Sequence, residues 1–303
     1  MTSFVGKYRF IIKMKNQKGN EGTTSALYLW NGLTAFWGTS FHTDPHSHDS
    51  LQLVFDIDKE FMLKDESSDW SSFSSAIIKT SHIHQLDSNK SIQLFIYLDK
   101  DCAYSQKLID KFLPDKNVCG LEKYGITKTS TNFFKKLLVN TDCEKLFEGI
   151  LKIVEQLIDL EPQHKRDNRI SKAVKFIESA EGTLKVQNIA EHVSLSESRL
   201  RFLFKKEVGQ SIQSFMLWMK VINSVNSILK GEQLTQTAYS VGFWDVAHMN
   251  RSFKELLGVA PSAITKYEKE LKVIVCEKIN FYNFKTEILT DWLSDKPYRT
   301  VEI

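Results

Sequence analysis

The feature that most constrains this chain is a phrase written twice in tandem between residues 186 and 258. In the first copy, Ile189-Ala190 precede Ser194-Leu195-Ser196, then Leu200, Phe204-Lys205-Lys206 and Gly209. In the second, Ala238 precedes Val241-Gly242-Phe243, then Asp245, Arg251, Phe253-Lys254 and Gly258. Each copy has the outline of a short helix, a tight turn and a longer helix. Leu200, Leu203, Phe204 and Val208 fall at i, i+3, i+4 and i+8, which predicts one buried stripe on the longer helix. Ser196 stands where an N-cap belongs and Gly209 where a left-handed C-cap belongs. In the second copy Met249, Phe253, Leu256 and Leu257 supply the stripe, with Asp245 at its start and Gly258 at its end.

The stripes leave a defined set of residues outside. Opposite the first lie Ser198, Phe202 and Lys205, flanked by Arg201; opposite the second lie Ala247, Arg251 and Lys254, edged by His248 and Asn250. Both faces combine cations with groups that reach base edges, as a helix lying in a major groove requires. The net charge of the whole chain is only +3, a weak argument for nucleic acid. Its distribution says more. Residues 169–270 hold 14 Lys and Arg against 10 Asp and Glu, while residues 1–168 hold 21 against 22. The positive excess sits where phosphate contact would use it.

Three phrases carry a resemblance: Val241-Gly242-Phe243-Trp244-Asp245, His248-Met249-Asn250-Arg251-Ser252-Phe253-Lys254, and Gly258-Val259-Ala260-Pro261-Ser262. Over roughly residues 169–266 the chain resembles the DNA-binding domain of the AraC/XylS family of bacterial transcription regulators. It departs from the family pattern at Phe202, where a polar residue or Arg is usual. Ala263-Ile264 replaces an aromatic-basic pair, and the linking segment Ser211–Lys230 lacks an Arg-rich start. The resemblance implies a regulator that acts on double-stranded promoter DNA and RNA polymerase, as a homodimer, under an unknown small-molecule effector. Its DNA-contacting residues would be Ser198, Arg201, Phe202 and Lys205 in one groove, and Ala247, His248, Arg251 and Lys254 in the next.

Residues 1–100 are patterned as strands. Tyr8–Lys13, Tyr28–Trp37, Leu51–Phe55, Glu60–Lys64, Phe73–Ile78 and Ile92–Leu98 are β-rich runs separated by turn residues. The spacing predicts a small antiparallel barrel or jelly roll, with an aromatic interior that includes Trp30, Phe36, Phe41, Phe55 and Phe61. The fold class is therefore α+β: an N-terminal cupin-like antiparallel barrel followed by helices, and an all-α C-terminal domain with two helix-turn-helix motifs.

Five of the eight histidines fall between His42 and His84. His46-Ser47-His48 followed by Gln52 resembles the first cupin motif, and His84 sits where the second motif places its His. On adjacent strands His46, His48 and His84 would converge inside the barrel mouth. Three readings of that convergence stand: an organic effector pocket, a metal site, or structural histidines. Gln52 replaces the carboxylate and the motif glycines are absent, and the resemblance to AraC-type regulators implies a sensor domain that holds an organic effector without metal. His46, His48, Gln52 and His84 are therefore assigned to an effector pocket, with no metal, no cofactor and no catalytic residue. The competing function is a cupin-type metalloenzyme with a DNA-tethering module. No nucleophile elbow, phosphate-binding glycine loop or telling carboxylate pair supports it.

From Ala103 the period turns helical. Ala103–Leu113, ended by Pro114, Asn132–Val139 and Asp142–Leu160 are the candidates, and residues 101–161 form a packing or dimerisation segment. The apolar stripe of Asp142–Leu160 is too wide for a solvated surface, so it packs on the barrel or on a second copy. Residues 162–168 read as a polar, Pro-led linker and 169–270 as the DNA-binding domain; 271–303 is an extension with strand-like runs at Leu271–Cys276 and Ile279–Phe284. No segment has the apolar length of a signal peptide or membrane span. Cys102, Cys119, Cys143 and Cys276 lie far apart and are expected to be four inert thiols in a cytoplasmic protein.

Overall fold

Asn31-Gly32 decides how the N-terminal sheet begins. Gly32 has φ 80°, so the chain reverses there, and Trp30 pairs with Leu33 across the turn. Asn-Gly is a pair that tight hairpins favour, because glycine takes up the positive φ without a Cβ clash. The run Tyr28–Trp37 is thus two strands, β1 (Ser25–Asn31) and β2 (Leu33–Thr39). A computed structural model describes residues 25–39, 42–100, 102–124, 143–158, 167–180, 182–257, 260–266 and 271–280. The expected strand Tyr8–Lys13, the helix Asn132–Val139, Phe41 and most of the linker lie outside those residues.

The remaining strands are β3 (Ser50–Asp56), β4 (Phe61–Asp65), β5 (Ser71–Phe73), β6 (Ser75–Ile78), β7 (His84–Asp87), β8 (Ile92–Asp99), β9 (Val118–Gly120) and β10 (Leu271–Asn280). Seven of them form one sheet in the order β10-β1-β2-β8-β3-β6-β9, and β5-β4-β7 form a second. Isolated bridges tie the connection between β2 and β3 to β7 of the small sheet, His42 to Asp87 and His46 to His84. The α+β class stands, with two bridged sheets in place of one closed barrel.

Strand periodicity sorts the large sheet into two faces. Tyr28 and Trp30, Leu51 and Leu53, and Leu94, Ile96 and Leu98 turn one way. Leu27 and Leu29, Val54, Phe95 and Tyr97 turn the other, with Phe61, Leu63 and Leu86 of the small sheet. The first face is covered by helices α1 (Ala103–Phe112) and α2 (Cys143–Leu157). On α2, Leu146, Phe147, Ile150, Val154 and Leu157 are all buried, and the Phe147 ring lies 5.9 Å from that of Trp30. Each such side chain gains roughly 1.5–3 kcal/mol from burial. Of the two partners weighed for this stripe, the chain's own sheet is the one that covers it.

Two long-range links close the sheet-rich unit. The extension beyond residue 270 returns as β10 and pairs in parallel with β1, Tyr28 opposite Ile274 and Leu29 opposite Val275. Cys276 on that strand is bonded to Cys143 at the start of α2, with their Cα atoms 5.8 Å apart. The expectation of four free thiols is therefore corrected to two, Cys102 and Cys119. The return of β10 puts side by side two cysteines that are 133 positions apart in sequence.

The helical unit comprises α3 (Asn168–Glu178), α4 (Val186–His192), α5 (Glu197–Val208), α6 (Ile212–Leu229), α7 (Leu234–Ser240), α8 (Val246–Leu256) and α9 (Ser262–Lys266). The N-terminal half of α6 joins the core of α3–α5 through Ile212 and Phe215. Its C-terminal half joins the core of α7–α9 through Val221, Ile222, Val225 and Ile228. At 1.5 Å per residue α6 is a strut of ~27 Å that sets the distance between the two motifs.

Candidate nucleic-acid interface and sensor site

The two motifs are built alike, atom for atom at the turn. In the first, Ser194 adopts φ 54° and the Leu195 amide donates to the Ala190 carbonyl at 2.9 Å. In the second, Gly242 adopts φ 83° and the Phe243 amide donates to the Ala238 carbonyl at 2.8 Å. Gly242 is also required by space, since a Cβ there would meet the Gly182 carbonyl oxygen at 3.0 Å. Lys220 of α6 steadies this turn, its Nζ donating to the Gly242 carbonyl at 2.6 Å beside the Phe243 ring.

The longer helices begin and end where their sequences say. Ser196 caps α5 by accepting from the Arg199 amide, and Gly209 closes it at φ 91°. Asp245 caps α8 by accepting from the His248 amide. The first predicted stripe is inward at Leu200, Leu203, Phe204 and Val208 on α5; in the second, Met249 and Phe253 on α8 and Leu257 at its C-cap are buried, while Leu256 is half-buried. Of the proposed DNA contacts, Ser198, Phe202, Lys205, Ala247, Arg251 and Lys254 are exposed, while Arg201 and His248 are half-buried. Arg201 spends its guanidinium on Glu197 at 3.2 Å, and the His248 ring packs edge-on to Phe243 at 5.3 Å.

On the sensor side the three histidines do converge. The candidate ligand atoms of His46, His48 and His84 all lie within 4.8 Å of one another. Their strands bring them there: His46 and His84 exchange backbone hydrogen bonds at 3.0 and 2.9 Å. His48 and His84 are 4% and 1% exposed, while His46 is half-buried and forms the outer edge of the cluster. Burial pushes the His84 imidazole down to about 3 and holds His48 well below the usual range, with neighbouring imidazoles adding to both. His46 is lowered by burial too, against the opposing pull of Asp44. All three rings are neutral at ordinary pH. Gln52 is buried and its side chain lies against His48.

Room for an organic molecule lies next door. A cavity of about 320 Å³ separates the sheet from the helical unit, walled by Leu27, Leu33, Tyr97, Leu217, Trp218 and Leu256. Small-ligand pockets begin at roughly this size. At its rim, Lys100 pairs with Asp49 at 2.7 Å. Tyr97 belongs to both places, since its ring also stands edge-on to His48 at 5.3 Å.

Residues 189–267 match the model of a helix-turn-helix domain. The arabinose operon regulatory protein of Escherichia coli is 31% identical over 100 residues, 32% of this chain and 34% of that protein. The transcriptional activator RhrA of Rhizobium meliloti is 27% identical over 126 residues, 40% of each chain. Residues 189–267 are thus a helix-turn-helix domain, similar to the C-terminal regions of these regulators. The chain spans well under half the length of these curated relatives. ToxT of Vibrio cholerae, in a solved structure, is 16% identical with a TM-score of 0.38, over 76% of this chain and 96% of that one.

The helix-turn-helix domain holds exposed groups that the sequence reading did not place among the DNA contacts. Arg199 lies over the Phe202 ring at 5.5 Å, so the aromatic departure at Phe202 carries a cation on its face. Trp244, 86% exposed, stands just before the α8 cap, and Tyr239, 63% exposed, lies on α7. A large aromatic outside the apolar period was the available signal for each, since exposed aromatics that fill no core position need another use. Among the described residues no helix is long and apolar enough to cross a membrane.

Proposed function

We propose that this chain is a sequence-specific transcription regulator that binds promoter DNA through both motifs of its AraC-type domain and answers to a small molecule held between its two units. The observation that carries the reading is the pairing of two like recognition helices on one rigid strut. α5 and α8 each bury an apolar stripe and turn polar and cationic groups outward. Half-turns of major groove on one DNA face recur about every 34 Å, a spacing a strut of ~27 Å can serve.

The effector reading rests on the cavity. Its walls include Leu217 and Trp218 of α6, and Glu255, Leu256 and Leu257 at the end of α8. A ligand there touches the strut and the second recognition helix together, so differential affinity for two arrangements of the units would bias DNA binding. On this reading the effector sits in the cavity and not among His46, His48, Gln52 and His84, none of which lines it, with Tyr97 as the shared wall. The regulator is read as a cytoplasmic homodimer that contacts RNA polymerase. With the α2 stripe turned inward, the second copy would be met by another surface. Residues 162–168 serve as the joint between the units, and no catalytic group enters the reading.

Selection from a random duplex pool with the purified chain tests it. Enrichment of a motif with two segments about one helical turn apart supports the reading. Binding that enriches no sequence, or that survives unchanged in an Arg251→Ala/Lys254→Ala double variant, overturns it.

A further inference from the structure

We propose that His46, His48 and His84 form a site for one divalent first-row transition-metal ion, bound through three neutral imidazoles. The assignment stands on the cluster's own geometry, and only a regulatory consequence of it would rest on the regulator reading above.

The rings are held as ligands are held. His46 Nδ1 lies 2.8 Å from the Asp44 carbonyl oxygen, and His84 Nδ1 lies 3.0 Å from that of His82. A carbonyl oxygen only accepts, so each Nδ1 carries the proton and each Nε2 is left with its lone pair. That arrangement, the far nitrogen tied to a carbonyl and the near one free, is how metal-binding histidines are oriented. The His82 anchor is fixed in turn, its Nε2 lying 2.9 Å from Asp65 Oδ2.

The candidate ligand atoms then gather at one place. His84 Nε2 is buried and has no hydrogen-bond partner among the described residues. A buried acceptor with nothing to accept from is costly and rare, so it asks for an occupant. The ring centroids of His46 and His84 are 4.5 Å apart, and those of His48 and His84 are 5.3 Å apart. Three ligand atoms within 4.8 Å need only small ring rotations to reach the separation of about 3.4 Å that tetrahedral bonds of about 2.0–2.1 Å impose.

The donor set fixes the class of ion. Imidazole nitrogen suits zinc, nickel, copper and iron, whereas magnesium and calcium demand oxygen. With Gln52 where a carboxylate would sit, the donors are uncharged. The ion keeps its full charge, and its open position favours a water or an outside anion. Tyr97, packed on His48, connects that position to the cavity wall.

The test uses the tag-free full chain, stripped with EDTA and titrated with Co(II), then challenged with Zn(II). The expected result is one equivalent of Co(II) with visible ligand-field bands, displaced by Zn(II). His46→Gln, at the half-buried position most tolerant of change, and His84→Ala should each weaken binding by at least about tenfold. His192→Ala, remote from the cluster, should leave it alone. Bands that persist in both cluster variants, or no binding by a folded wild-type chain, overturn the proposal. A chain that binds no Co(II) but binds DNA sinks the metal site alone. One that binds one equivalent, lost in the variants, but no DNA keeps the site and sinks the regulator.

Discussion

Trp218 on α6 donates its indole Nε1–H to the backbone carbonyl of Trp30 on β1 at 3.1 Å, 188 positions away in sequence. The donor belongs to the strut of the DNA-binding domain and the acceptor to the hairpin end of the sensor sheet. The bond sits in the wall of the cavity, so filling the cavity and moving the units draw on one contact.

Trp218→Phe keeps the ring but removes the donor, which leaves the Trp30 carbonyl short of a partner. The junction should weaken by about 0.5–1.5 kcal/mol. Limited proteolysis between the units should quicken, while the circular dichroism of each stays intact. DNA affinity should change although no groove-facing residue has been touched. An unaltered cleavage rate and unaltered affinity would show that the junction does not couple the units.

The disulfide and the free thiols give a second outcome. Cys102 is buried and its thiol is pushed up to about 12, chiefly by burial, whereas Cys119 is half-buried. In the native oxidised protein a thiol reagent should therefore modify Cys119 quickly and Cys102 only after unfolding. Reducing Cys143–Cys276 releases β10 from α2. For so long a loop the bond should contribute about 2–4 kcal/mol, seen as a lower melting temperature in reductant or in Cys276→Ser. Rapid modification of two thiols in the native state would contradict the burial of Cys102.

Acid should loosen the sensor unit of the metal-free protein. In the unfolded chain a histidine takes up its proton near pH 6.5. Folded His84 refuses one until about pH 3, because burial and the adjacent His46 oppose the charge. The unfolded state thus binds more protons between these limits, and stability falls as pH drops through that window. His48, lowered in the same direction, adds to the slope. The loss should be on the order of 2–4 kcal/mol by pH 4, read as a falling urea midpoint. His84→Gln should flatten the dependence, and an equal slope in that variant would assign it to other groups.

The parts that could be read from sequence were those written in a local period. The stripes of α5 and α8, and the caps Ser196, Gly209 and Asp245, follow from spacing alone because a helix is a local structure. The hairpin at Asn31-Gly32 was equally local, yet a continuous apolar run concealed it, although the Asn-Gly pair marks it. Strands β7 and β9, of four and three residues, are too short to carry a period. What the sequence could not show was built from distant segments. Cys143 meets Cys276 only because β10 returns to β1, and the cavity joins Leu27 and Tyr97 to Trp218 and Leu256. The convergence of His46, His48 and His84 was legible because cupin-like spacing encodes it, but the carbonyl anchors that orient the rings were not.

The two recognition helices should fail differently when their cations are removed. Arg251 is exposed in the second turn of α8, between exposed Ala247 and Lys254. A free guanidinium there suits a bidentate contact with guanine, worth roughly 1–3 kcal/mol of discrimination. Arg251→Ala should cost about that much and relax preference at one base pair. Lys205 and Lys254 lie nearer their helix ends, where an ammonium meets phosphate more often than base. Their loss should weaken binding to every sequence alike and lower the salt slope by about one unit each. On α5 the pairing of Arg201 with Glu197 leaves Arg199, over the Phe202 ring, as the better placed cation. Arg199→Ala should therefore cost more than Arg201→Ala. Binding to single-base operator variants at two salt concentrations separates these outcomes. Should Arg251→Ala weaken every variant equally while Lys205→Ala changes base preference, the roles of reader and anchor are reversed.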